Sequence, residues 1–303
     1  MDSKTRQASD YCNVHYWRWQ PIGDVKAVIY IAHGMGEHAA RYDNLAQQLV
    51  KEGYLVIAND HRGHGKTAKV LGDFGPNGWE CMISDMRDIL SDLHKEFPSV
   101  KKILIGHSMG SLLSQQFVTQ HSDLIDALVL SGSPGFSPGI QLFISSLLAR
   151  FENWRLGDRV ESALLNFLIF GSANKPFENE QPNPTGFEWL SRDMEQVNLY
   201  VADEFCGFVP FPASLKSMFD GLKKAQSKDS MSNIRSNLPV YMFSGTDDPV
   251  HAEMANINRL MEAWKAQGIN IDTEFYTEGR HEMLNESNKD EVISNLINWL
   301  ARL

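Results

Sequence analysis

The 303 residues are enough for one large α/β domain carrying an insertion, or for two domains. With 43% hydrophobic and 22% charged residues the chain is not a disordered one. A formal net charge of −10 disfavours nonspecific nucleic-acid binding, which needs clustered Lys and Arg, and no nucleic-acid partner is expected.

Cys12, Cys81 and Cys206 are odd in number and widely separated, so neither a disulfide framework nor a metal-ligand spacing follows from them. Buried or half-buried thiols in a reducing compartment are expected, with no metal and no cofactor. The start, MDSKTRQASDYCNVHYWRW, lacks a basic segment followed by an apolar one, so no signal peptide is read there. No apolar run approaches the roughly 20 residues that span a bilayer. A cytoplasmic location is the expectation.

In chain order, NVHYWRW and KAVIYIAHG read as strands, the second a continuous apolar run. NLAQQLVKEG has helical periodicity and ends at a glycine. YLVIANDHRGHG is a strand entering a glycine-rich turn. ISDMRDILSDLHKEF is an amphipathic helix stopped by Pro98, and KKILIGHSMG is the next strand. DALVLSG, LPVYMFSGTDD and NIDTEFYTEGRHEM supply further strands, and VISNLINWLARL a closing helix. Unbroken apolar strands alternating with helices predict a mostly parallel, doubly wound sheet covered on both faces.

The alternation stops after Ser131. Between Pro134 and about Pro212 no buried-strand pattern occurs. GIQLFISSLLARF instead places Ile140, Phe143, Ile144, Leu147, Leu148 and Phe151 at helical spacing, as one apolar stripe. ALLNFLIFG is more apolar still, and the Pro/Asn-rich NKPFENEQPNPTGFEWL reads as loop. The division expected is a core over 1–134, a mostly helical insertion over 135–212, and the rest of the core over 213–303.

LIGHSMGSLL carries the chemistry. A strand-to-helix turn tight enough to project its apex side chain crowds the residues two before and two after it. Gly106 and Gly110 lack the Cβ that would clash, and Ser108 takes the unfavourable φ/ψ at the apex. Gly-His-Ser-Met-Gly therefore fits a nucleophile elbow in its strand–turn–helix context.

A serine hydroxyl needs a base, and the base an acid to hold its tautomer. Both should follow in the order Ser, Asp/Glu, His at the carboxyl ends of later strands. SGTDDPV offers Asp247 or Asp248, and EGRHEMLNE offers His281. Two backbone N–H groups must also face the developing oxyanion. Met109, after the nucleophile, supplies one; Met35, in the loop HGMGEH after the strand AVIYIA, supplies the other.

Taken together, HGMGEH, NDHRGHGKT, GHSMGS, SGTDDPV and GRHEMLNE resemble the monoacylglycerol lipases and lysophospholipases of the α/β-hydrolase superfamily, in the group also called serine aminopeptidase S33. The resemblance implies that fold, with a helical cap inserted late in the sheet. It makes Ser108 the nucleophile, His281 the base, and Met35 with Met109 the oxyanion donors. The family's Gly-x-x-Asp spacing, counted from Gly245, selects Asp248 as the acid. The expected activity is hydrolysis of carboxylic esters with a medium or long acyl chain, with transient lipid-surface contact through the cap. An aminopeptidase or thioesterase on the same residues is the alternative. An aminopeptidase would need a cap carboxylate such as Glu152, Asp158, Glu161 or Glu204 for the substrate ammonium. A non-catalytic binding protein would more readily have lost the serine, the histidine or the elbow glycines.

Overall fold

The computed structural model describes residues 1–180 and 182–303. Gln181, inside the Pro/Asn-rich stretch expected to be loop, lies outside the described residues. Eight strands form one sheet: β1 (Asp2–Gln7), β2 (Asn13–Trp19), β3 (Ala27–Ala32), β4 (Tyr54–Asn59), β5 (Lys101–His107), β6 (Ala127–Ser131), β7 (Val240–Gly245) and β8 (Ile271–Tyr276). Their spatial order is β1-β2-β4-β3-β5-β6-β7-β8. The β1–β2 and β2–β4 pairs are antiparallel, and every other pair is parallel. Strands β3, β4 and β7 are buried at every position, the condition that unbroken apolar runs satisfy.

Successive side chains of these strands feed two cores. On one face Val28, Tyr30 and Leu104 meet Met82 and Met86 of α2 (Gly78–Glu96) and Leu113 and Phe117 of the helix Met109–His121. On the other, Ile29, Ile31 and Ile105 meet Leu45 and Leu49 of α1 (Asp43–Lys51) and Val292 and Leu296 of the last helix, Lys289–Leu300.

The helix Met109–His121 is α3. Between β6 and β7 the chain builds α4 (Gly139–Leu156), α5 (Ala163–Asn166), a π-helical turn Phe167–Gly171, α6 (Ser172–Asn174), α7 (Met194–Ala202), α8 (Pro212–Ala225) and α9 (Lys228–Met231). α10 (Ala255–Lys265) and α11 (Lys289–Leu300) complete the chain. α4 packs on α8, and α8 in turn on α2 and α3, so this region is tied to the core through those two helices.

The apolar stripe of α4 does not face inward. Ile140, Phe143, Ile144, Leu147 and Phe151 are each at least half exposed, joined by Trp154 at 79%, whereas Leu142, Ala149 and Glu152 form the buried side. The edge strand β1 was not read from the sequence. Its residues DSKTRQ are almost wholly exposed and carry no apolar alternation; pairing with β2 alone makes them a strand. All three cysteines are free and half-buried.

Candidate active site

Ser108 stands between β5 and α3 with φ 51° and ψ −117°, a left-handed conformation that a side chain rarely adopts. The two flanking glycines permit it in different ways. A Cβ on Gly106 would lie 2.5 Å from the Gly110 carbonyl oxygen, as the elbow requires. A Cβ on Gly110 would instead collide with the backbone of β3, striking the Ala32 carbonyl and coming within 2.6 Å of the His33 oxygen. The first turn of α3 thus rests directly on the end of β3. Behind the elbow, Ser111 donates to the Ser108 carbonyl at 2.6 Å and lies 3.1 Å from the Ser133 hydroxyl, to which Gln115 donates at 3.0 Å.

His281, in the loop after β8, places Nδ1 2.9 Å from Oδ2 of Asp248 in the turn after β7. A carboxylate only accepts, so the ring proton sits on Nδ1 and Nε2 is left as an acceptor. Both residues are 2% exposed. The Val250 amide donates to Asp248 at 3.0 Å and fixes the carboxylate. Asp247, the alternative acid, is exposed and accepts from Thr246. Burial works against a charged His281, but the Asp248 charge and hydrogen bond outweigh it and raise the imidazole above its ordinary value. Burial would likewise raise Asp248, and the His281 charge holds it down.

Ser108, His281, Met35 and Met109 line one cavity of about 390 Å³. Among the described residues, the amides of Met35 and Met109 donate to no protein group. The cavity's apolar wall comes from Leu142 of α4, Ile169 and Phe170 of the π-helical turn, and Met218, Phe219 and Leu222 of α8. Glu152, Asp158, Glu161 and Glu204 do not line it. Glu152 is occupied by Arg155 and Ser162.

Several neighbours went unassigned in the sequence. The Trp189 ring lies 4.8 Å from that of His281, centroid to centroid, at 36°. Arg41 bridges Glu37 at 2.6 Å and Glu282 at 2.7 Å, tying the loop of Met35 to the loop of His281. Burial pushes Glu37 upward, yet Arg41 holds its carboxyl down at about 2. Glu37 in turn accepts from the Gly34 amide and, at 2.9 Å, from Tyr42. The signal for this cluster was the acidic residue inside HGMGEH and the one directly after His281. For Trp189, in a Pro/Asn-rich stretch, there was none. His107, whose ring lies 4.9 Å from His281, is lowered to about 4 by burial and stays neutral beside the base.

A family model described as serine aminopeptidase, S33, matches residues 23–288. Monoglyceride lipase of Mus musculus is 30% identical over 257 residues, covering 82% of this chain and 74% of that one. Monoacylglycerol lipase of Mycolicibacterium smegmatis is 24% identical over 317 residues, covering 99% of each. A thermostable carboxyl esterase from Bacillus coagulans, solved with glycerol, superposes with a TM-score of 0.89 at 23% identity, over 99% of this chain and 97% of that one.

Proposed function

The chain belongs to the serine aminopeptidase S33 family and is a carboxylic-ester hydrolase of the α/β-hydrolase fold, and from that premise we propose that it cleaves esters of medium- or long-chain acyl groups, of the monoacylglycerol or lysophospholipid kind, through an acyl-enzyme on Ser108. His281 Nε2 takes the Ser108 proton as Oγ attacks the ester carbonyl. The tetrahedral oxyanion rests on the Met35 and Met109 amides, and His281⁺ is stabilised by Asp248. The imidazolium then gives its proton to the leaving alcohol. Water, deprotonated by the same imidazole, attacks the acyl carbonyl and frees Ser108 with a carboxylic acid.

One observation carries the reading: His281, paired with buried Asp248, and Ser108 open onto a single cavity walled in part by aliphatic and aromatic side chains. Residues 135–212 act as its cap. A peptidase needs an acidic group for the substrate ammonium; the cap carboxylates are off the cavity, and Glu37 and Glu282, which do line it, are matched to Arg41.

Hydrolysis of p-nitrophenyl esters of graded chain length, measured beside aminoacyl anilides, tests it. Rates are expected to be higher for the esters and to rise from acetyl toward medium-length chains. Preference for the anilides would sink the lipase reading.

The solvent-facing stripe of α4 supports lipid-surface contact. Among the described residues no helix is long and apolar enough to cross a membrane. An exposed row of Ile140, Ile144, Leu147 and Trp154 suits a helix lying in the interface instead, while Leu142 and Ser145 of the same helix face the cavity. The double variant Ile144→Ser, Trp154→Ser should sediment less with phospholipid vesicles while keeping its rate on a soluble short-chain ester. Vesicle binding equal to that of the parent would remove α4 from any such role.

A further inference from the structure

His38 ends the loop HGMGEH that carries Met35, and Asp203 and Cys206 lie just past α7. From these two distant segments come three unlike donor atoms: an imidazole nitrogen, a carboxylate oxygen and a sulfur, all within 4.8 Å of one another. We propose that His38, Asp203 and Cys206 bind a thiophilic divalent cation such as Zn²⁺, which fastens the segment after α7 to the loop that carries Met35.

The chemistry of the set is that of a zinc site rather than a calcium or magnesium site, because nitrogen and sulfur accompany a single carboxylate. Ligands around a tetrahedral zinc stand about 3.3–3.6 Å apart. His38 Nε2 and Asp203 Oδ2, 2.9 Å apart, need only open slightly to reach that spacing, and Sγ already lies within 4.8 Å of both partners.

The two segments are already joined without a metal. Gly207 N–H donates to the Gly36 carbonyl at 2.9 Å, and so does the Tyr200 hydroxyl at 2.8 Å. Bringing the donors together therefore consumes little of the binding energy. The other oxygen of Asp203 accepts from the Phe205 amide at 2.8 Å, which orients its carboxylate, and the Cys206 amide donates to the Asp203 carbonyl at 3.0 Å, which fixes the turn carrying Cys206.

The local charge suits a cation. Arg41 is close by, but Glu37, Glu282 and Asp203 outnumber it. Burial pushes the Cys206 thiol well above its ordinary value, which argues against a free reactive thiolate there. On binding, Sγ gives its proton to solvent and the His38 ring proton shifts from Nε2 to Nδ1, as the metal–sulfur and metal–nitrogen bonds form. All three residues are half-buried, leaving a path for the ion and a fourth position for water.

Metal-stripped full-length protein is titrated with Cd²⁺, followed by the cadmium–thiolate ultraviolet band, and with Zn²⁺, followed by the melting temperature. One equivalent should saturate the band, and Zn²⁺ should raise the melting temperature as a ligand of the native state does. Cys206→Ser should abolish the band, and His38→Ala should weaken binding by about tenfold or more. The double variant Cys12→Ser, Cys81→Ser should keep it. A circular dichroism spectrum matching the parent's makes each loss attributable to the site. A band that survives Cys206→Ser, an affinity unmoved by His38→Ala, or the absence of any saturable band overturns the proposal.

Discussion

Ser108→Ala should lose ester turnover almost completely while folding as the parent does. Removing the nucleophile of a Ser-His-Asp triad lowers kcat by about 10⁶-fold, leaving only the residual acceleration that binding and oxyanion donors supply. The stability expectation rests on what the hydroxyl touches. Its neighbours Ser111 and Gln115 hydrogen-bond to the Ser108 carbonyl and to Ser133, not to the Ser108 side chain. Alanine can occupy the same left-handed conformation at the same strain, so the stability change should stay within about 0.5 kcal/mol. Two measurements separate chemistry from folding: esterase rate beside thermal melting, and labelling by a fluorophosphonate probe. The parent should label and Ser108→Ala should not. An unlabelled parent would revive a non-catalytic binding protein, and parent-like turnover in the variant would take Ser108 out of the mechanism.

Asp248→Asn should cost about 10⁴-fold in kcat, the scale on which the wrong imidazole tautomer is felt in a triad. The amide can present an N–H to Nδ1, so the ring proton moves to Nε2, the atom that must accept from Ser108. The pH profile gives an independent check. His281 must be neutral to act as base, so activity falls as pH drops through its pKa. The Asp248 charge raises that pKa, with Glu282 and Glu37 adding to it, against burial that lowers it. Losing the charge leaves burial with less opposition. The acid limb of kcat/KM should therefore shift to lower pH in Asp248→Asn even as the plateau drops. An acid limb that stays put or moves upward would show that Asp248 does not govern the imidazole.

What could be read from the residues was whatever local sterics or two-sided burial imposes. Strands β3, β4, β6 and β7 are apolar at nearly every position because both faces are covered. The elbow was legible from its two glycines, but only the crowding of Gly106 against Gly110 is local; the need for glycine at 110 comes from the end of β3. The choice of Asp248 over Asp247 needed family spacing, because both aspartates suit a turn; only the tertiary approach of His281 distinguishes them. α4 was legible as a helix but its orientation was not: periodicity locates an apolar face without saying what lies opposite. β1 left no trace, being held by backbone pairing along an exposed edge. The charged bridge of Arg41 to Glu282 spans 241 residues of sequence and could be found only after folding.

The contact of Gly110 with the end of β3 has a bearing on how accurately the enzyme can hold its transition state. The Met109 amide precedes that glycine, and the Met35 amide follows that strand by a few residues. On the proposed mechanism, the two oxyanion donors therefore flank one backbone contact, where α3 meets the end of β3. The seating of that helix on that strand is thus one of the contacts on which their separation depends.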